Sequence, residues 1–431
     1  MTAEVSILNR AGVALAADSA VTIGARKVYN SANKLFSLSK FHPVGIMIYG
    51  GASFMEVPWE TIIKSFRNHL GQRKFENLKT YKTEFIEYIL KDERLKNLNP
   101  EKAVVRRTFS EILNIVVNDV QTIVEEALKV GTRLSEEEVK GHLNERLGSF
   151  LEDFKANHQI ILDIEQSDFL NIHQGVISHV IQDKVLFEID GDTEGLLKEL
   201  AFEGVRRDYF TNGSTGVVVS GYGEDELFPC IYEIKTDGFI LGKLKYSNNN
   251  ECEISLDDDK PSSAVIPFAQ MEMVYSFMNG MDPMLQNNIQ NLLDNIFTNL
   301  DKIITDHTSI QLPEEKVSEL NNLGNEIKQQ VFQEISSFQN KNYSSPVVEI
   351  VDFLPKEEIA EMAEALVNLT SFKRRISIDT ETVGGPIDVA VITKGDGFIW
   401  IKRKHYFSPD LNYGFFQNYL RSGANDDTYD E

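Results

Sequence analysis

The hydrophobic pattern changes period several times along the chain, and those changes predict where sheet gives way to helix. Glu4 to Leu8 alternates, Asn9-Arg10-Ala11-Gly12 reads as a turn, and Val13 to Ala17 is a continuous apolar run. Two strands joined this way make a hairpin, which brings the end of the second back beside the start of the first. A third strand is expected from Lys34 (Lys34-Leu35-Phe36-Ser37-Leu38), joining the same sheet. A buried strand over Val44 to Ala52 ends in the pair Gly50-Gly51.

The period then lengthens. Ile62, Ile63, Phe66 and Leu70 predict a helix over about 57–69. Tyr81, Phe85, Ile86, Tyr88 and Ile89 sit at helical spacing, and Ile112, Ile115, Val116, Val120, Ile123 and Val124 mark an amphipathic helix over 109–130. Residues 134–206 read as further helix with a short strand at 184–189. Three strand-like runs follow over 215–244, punctuated by Gly221-Tyr222-Gly223 and Thr236-Asp237-Gly238. Residues 284–340 repeat apolar positions helically (Ile289, Leu292, Leu293, Ile296, Leu300, Ile303, Ile304) against an Asn/Gln-rich face, which suits the periphery or a partner subunit. A helix over 357–369 precedes two apolar strands at Ile387–Ile392 and Phe398–Ile401, and 422–431 forms an acidic tail expected to be disordered.

Composition narrows the class. A chain of 431 residues, 42% apolar and 25% charged, can bury a large core. No apolar run approaches the roughly 20 residues that span a bilayer. The first residues lack a basic region followed by an apolar core, so no secretory signal is expected. Cys230 and Cys252 are the only cysteines, which points to a reducing cytoplasm and excludes a disulfide framework. The net charge of −23 argues against nucleic acid or an anionic membrane as partner. Gly221-x-Gly223 is weak as a phosphate loop and reads as turn glycines. Asp257-Asp258-Asp259 lacks the spacing of a calcium loop and reads as a solvated turn.

The chemistry is concentrated in the first 34 residues. Thr2, Asp18 and Lys34 are the three residue types that a nucleophile at a chain terminus requires. A Thr hydroxyl needs a general base, and with Met1 removed the free α-amine of Thr2 is already in place as that base. The reference pKa of an α-amino group, about 7.7–8.0, keeps it in range near neutral pH. A nearby Lys ammonium favours the neutral amine, and a carboxylate beside that Lys holds it charged and oriented.

These residues, with the sequences Gly12-Val13-Ala14-Leu15-Ala16-Ala17-Asp18-Ser19 and Asn33-Lys34-Leu35-Phe36-Ser37-Leu38, resemble the start of a proteasome β-type subunit. Asp18 lies 16 residues and Lys34 32 residues after Thr2, the separations that family shows. The resemblance covers about 2–72, 107–130, 215–280 and 355–405. It implies an α+β fold, the four-layer αββα sandwich of N-terminal-nucleophile hydrolases. The chain is then a single discontinuous domain over 2–421, with helical insertions at about 73–206 and 284–340. By resemblance, residues 264–279 are the family's next helix, and the main-chain N–H of Gly50, or second Gly51, is the oxyanion donor. Glycine suits that place because substrate backbone must approach closely.

The resemblance implies a threonine peptidase or amidohydrolase acting on a peptide or unfolded-protein substrate, with no metal or organic cofactor. It implies a homo-oligomer, and an ATPase partner that the sequence does not identify. Val21, Ala32, Met47 and Ala52 match the pocket for the side chain before the scissile bond. Read physically, they make an uncharged pocket that favours Leu, Met, Phe or Tyr and gives poor cleavage after Lys or Arg, whose charge would be buried without a partner.

Three departures bear on catalysis. Val265-Ile266-Pro267 replaces the family's small turn with a supporting Ser, although Ser262 and Ser263 lie slightly earlier. Val383 and Thr380 stand where a Ser and an Asp are usual, with Asp379 one residue off. Ala20 replaces a common basic residue. An assembling subunit without hydrolytic activity and an amidase for a small non-peptide substrate are the alternative readings.

Overall fold

A computed structural model describes residues 2–23, 27–38, 41–308, 313–377, 384–414 and 417. Ten strands make two five-stranded antiparallel sheets. They are β1 (Ala3–Asn9), β2 (Gly12–Ala17), β3 (Leu35–Ser37), β4 (Val44–Gly50), β5 (Thr215–Gly221), β6 (Cys230–Ile240), β7 (Lys243–Glu253), β8 (Ala264–Ala269), β9 (Asp388–Thr393) and β10 (Gly397–Lys402). The first sheet runs β8-β1-β2-β9-β10 and the second β7-β6-β5-β4-β3. Among the described residues, twelve α-helices accompany them. The first six are α1 (Trp59–Leu70), α2 (Leu78–Lys91), α3 (Leu98–Lys129), α4 (Glu136–Asn157), α5 (Gln166–Lys184) and α6 (Gly191–Arg206). The rest are α7 (Glu272–Asn279), α8 (Pro283–Thr298), α9 (Leu300–Thr308), α10 (Glu314–Gln339), α11 (Ser345–Phe353) and α12 (Lys356–Ile376). Among the described residues, no helix is long and apolar enough to cross a membrane.

Burial explains the layout. Every residue of β1 and β2 is buried, because both faces of this sheet are covered. Ala3, Val5 and Ile7 pack with Ala14 and Ala16 against Ile359, Ala363 and Val367 of α12. Leu8, Val13, Leu15 and Ala17 instead meet Leu35, Met47 and Val218 of the second sheet. The polar members of the β1 alternation, Glu4 and Ser6, therefore face the other sheet rather than water. The second sheet buries Phe36, Ile46, Ile48, Val217 and Val219 against α1–α3, in a cluster that continues into α4–α6 through Phe169, Ile177 and Leu200. By contrast, α8 contributes no buried residue.

Four expectations differ from the fold. Lys34 does not open a strand of the first sheet. Strand β3 pairs with β4, so Lys34 reaches the site from the facing sheet. Residues 264–269 form edge strand β8, paired with β1, and only 272–279 are helical. Pro267 is tolerated there because an edge strand can leave one side of its ladder undonated. Residues 184–189 form no strand. Lys184 ends α5 and Leu186 is exposed, with no neighbouring strand to take its backbone hydrogen bonds. Thr236-Asp237-Gly238 is a bulge within β6, and the chain turns at Leu241-Gly242. Asp237 is buried there because it binds Arg107 and Thr211. Residues 379, 380, 383 and 422–431 lie outside the described residues.

Candidate active site

Thr2 immediately precedes β1 and is buried, with its carbonyl accepting the Gln270 N–H at 3.2 Å. The hairpin does what its register requires. Glu4 pairs with Ala17, and the next residue, Asp18, donates its N–H to Ala3 O at 3.1 Å. Asp18 Oδ1 in turn accepts the Ala3 N–H at 3.1 Å and a hydrogen bond from Lys34 Nζ. Its Oδ2 accepts Ala20 N–H at 3.2 Å and Gly384 N–H at 2.9 Å. Lys34 is only 4% exposed, and its carbonyl is held by the Ile48 N–H at 2.8 Å. Lys34 is thus fixed at both ends, by β4 through its backbone and by Asp18 through its ammonium.

Strand β4 delivers the fourth group. The Gly50 N–H donates to Thr2 Oγ1 at 3.5 Å, while Gly51 N–H is already used by Ser214 O at 3.1 Å. Of the two glycines, Gly50 is the one that presents a donor to the hydroxyl. Its φ of +79° suits glycine, and a Cβ there would lie 2.3 Å from Ser214 O.

Beside these residues lies a cleft of about 140 Å³, bordered by Val21, Ala32 and Ala52. Met47 does not line it. Successive strand residues point to opposite faces, and Met47 is buried between the sheets with Leu15, Leu35 and Val218. Ile48 takes its place in the wall. Nor is the cleft uncharged, because Lys34 and Glu60 also line it, together with the amide of Asn33. Both Glu60 oxygens accept from Asn33 Nδ2 at 3.3 Å, and Oε1 also pairs with Lys64. Burial pushes the Glu60 carboxyl up, but Lys64 and Asn33 bring it below the ordinary carboxylate value. A wider depression of about 1220 Å³ adjoins this cleft at Thr2 and Gly50 and is bordered by Tyr49, Ser214, Glu233 and Gln270.

One buried carboxyl in the site escaped the sequence reading. Glu4 is 1% exposed and its Oε1 lies 3.4 Å from Lys34 Nζ. Burial pushes its pKa up to about 8, against the opposing pull of Lys34. The signal was present, since Glu4 is two residues from Thr2 and therefore on the same strand face. Tyr49 and Glu233, which hydrogen-bond across the second sheet, were also missed. Ser263 donates to Val348 O at 2.7 Å. Among the described residues, no three His, Cys, Asp or Glu side chains converge as a metal site.

The arrangement gathers a hydroxyl, an ammonium with a carboxylate beside it, and an N–H donor, the parts of an acyl-transfer centre. No protein-family model matches the sequence, and no curated protein matches it. Among solved structures, the chain is similar to "Anbu (ancestral beta-subunit) from Yersinia bercovieri", with a TM-score of 0.28 and 8% identity over 100% of this chain and 99% of that one. A likeness of that size carries no inference about family or activity.

Proposed function

We propose that the protein is a threonine-type N-terminal-nucleophile hydrolase of the proteasome β kind, cleaving peptide or amide bonds once Met1 is removed. The observation that carries this reading is the meeting of Thr2, the Gly50 N–H and Lys34 at one cleft, from both sheets, with Asp18 buried behind Lys34 and bound to it. On this reading the two sheets and their outer helices form the four-layer αββα sandwich, and 73–206 and 284–340 are insertions in one domain.

The Thr2 amine takes the hydroxyl proton as Oγ1 attacks the substrate carbonyl. The Gly50 N–H donates to the developing oxyanion, and the amine returns the proton to the leaving nitrogen. Water then attacks the resulting ester, with the same amine as base, and releases the acid. Lys34 holds positive charge beside the hydroxyl, and Asp18 orients it. The residue preceding the cut would enter between Val21, Ala32, Ile48 and Ala52, an apolar lining that favours Leu or Met. Glu60 at the same cleft removes the ground for excluding Lys and Arg, whose charged ends would find a partner there.

The reading is tested by intact mass and by β-lactone labelling of the purified protein. Loss of Met1 and a single adduct on Thr2, absent in Thr2→Ala, are expected. Met1 retained on all molecules from the native host would sink it, because the base would be capped. The alternative, an assembling subunit without hydrolysis, draws on one observation: Ser263 is engaged by Val348 and does not supply the Ser that the family places beside the terminal amine.

A further inference from the structure

The carboxyl of Glu4 is buried in the same cluster as Asp18, yet the two are treated very differently by their surroundings. Asp18 receives three main-chain N–H groups and the Lys34 ammonium. Among the described residues, no hydrogen bond of ordinary geometry reaches either oxygen of Glu4, and Lys34 Nζ stands 3.4 Å away. One ammonium thus faces two carboxyls in a space closed to water. A second full negative charge there would be desolvated and largely unpaired, whereas a protonated carboxyl avoids that cost.

We propose that Glu4 is a positioning residue held as a neutral carboxylic acid, which shares Lys34 with Asp18 and keeps the Thr2 hydroxyl reactive until the acid ionises. The proposal rests on the reading of Thr2 as nucleophile. Its geometry is that of one strand face: Glu4 lies on β1 two residues after Thr2, which precedes the strand, and Lys34 Nζ lies opposite Glu4. Burial is the main reason that the carboxyl is displaced upward to about 8. Asp18 adds to the rise, while Lys34 opposes it. The Thr2 α-amine, two residues along the chain, loses its proton over about the same range, at a reference value of about 7.7–8.0. Among the described residues Tyr49 on β4 also faces Glu4, and its phenol is itself displaced upward by burial, Glu233 and Glu4, and so remains neutral. When Glu4 loses its proton, the cluster gains a negative charge beside the hydroxyl. That charge draws Lys34 away from Asp18 and opposes formation of an alkoxide at Thr2.

Two readouts test this. In Thr2→Ala protein labelled with ¹³C at glutamate carboxyls, the resonance missing from the Thr2→Ala/Glu4→Gln double variant reports Glu4. It is expected to titrate near pH 8, to move up when Lys34→Met is added and to move down when Asp18→Asn is added. The second readout is the rate of β-lactone labelling at Thr2. The unsubstituted chain should lose about tenfold between pH 8 and pH 9.5, whereas Glu4→Gln, a neutral isostere, should stay within about twofold of it at pH 7 and show no alkaline loss. A Glu4 resonance that titrates in the ordinary carboxylate range overturns the proposal, as does an alkaline loss unchanged in Glu4→Gln. Absence of any Thr2-dependent labelling would overturn the nucleophile and with it the effect of Glu4 on reactivity, whereas the Glu4 resonance, which needs no turnover, decides separately whether the carboxyl is held neutral.

Discussion

The main-chain N–H of Gly384 donates to Asp18 Oδ2 at 2.9 Å across 366 residues of chain. Through this bond the approach to the penultimate strand closes on the carboxylate that the first hairpin carries. Ser19 strengthens the joint, its N–H donating to Gly384 O at 3.2 Å and its hydroxyl to Pro386 O. Asp18 therefore has a structural duty as well as a place beside Lys34. Asp18→Ala would leave Lys34 buried without its closest partner and three N–H groups without an acceptor. A loss of about 3–5 kcal/mol in unfolding free energy is expected, on the scale of breaking a buried ion pair. Urea denaturation measures it, and a loss below about 1 kcal/mol would show that Lys34 and the N–H groups find other partners.

Thr2→Ala should separate chemistry from stability. The hydroxyl receives only a long hydrogen bond from Gly50, 3.5 Å, so its removal should change unfolding free energy by about 1 kcal/mol or less. Hydrolysis of fluorogenic peptides and β-lactone labelling should both vanish. Unchanged turnover would take this residue out of the mechanism.

Gly50→Ala should fail on both counts. The residue has φ +79°, and an added Cβ would meet Ser214 O at 2.3 Å. Strain of about 1–3 kcal/mol is expected, together with a fall in kcat of roughly 10²–10³-fold as the oxyanion donor is displaced. Gly51→Ala provides the control. An added Cβ there would meet Thr215 Oγ1 at 2.8 Å and Gly213 O at 3.0 Å, so stability should suffer, but its N–H serves Ser214 O and no oxyanion donor is lost.

The cleft side chains predict a specificity change that leaves folding intact. Glu60 is about a third exposed and pairs with Lys64 at the surface. An exchange of that partner for a substrate Lys or Arg is worth about 0.2–1 kcal/mol, by analogy with exposed ion pairs. Glu60→Gln should therefore lower kcat/KM after Arg relative to Leu by about two- to fivefold in a tetrapeptide series. Equal ratios in both proteins would remove Glu60 from substrate contact.

Glu4 also makes stability depend on pH. Burial raises its carboxyl to about 8 in the folded state, from the ordinary value of 4.5 that it has in the unfolded chain. Between those values the folded state holds a proton that the unfolded state has released. Raising pH through this window therefore favours unfolding, by at most about 1.4 kcal/mol per unit. The contribution is fully present below 4.5 and gone above about 8. Glu4→Gln should flatten that decline in denaturation curves taken from pH 5 to 9. A decline of the same slope in the variant would place its origin elsewhere.

How much of this was legible in the chain depends on the range of each interaction. The sequence by itself determined that Thr2 and Asp18 lie side by side, because a hairpin with a turn at Asn9–Gly12 sets its own register and both residues are at its open end. It also determined the glycine pair at the end of β4 and the closing hairpin of β9 and β10, where period and turn residues agree. Tertiary structure decided which sheet Lys34 belongs to, since a three-residue strand such as β3 has no pairing preference apart from its neighbour β4. It decided that Ile48 and not Met47 borders the cleft, because a one-residue difference in register turns a side chain to the opposite face. It decided too that Glu4 is buried beside Lys34. Alternation places Glu4 and Ser6 on one face, but only the arrival of the second sheet makes that face an interior, and desolvation there, not the residue type, sets the charge it carries.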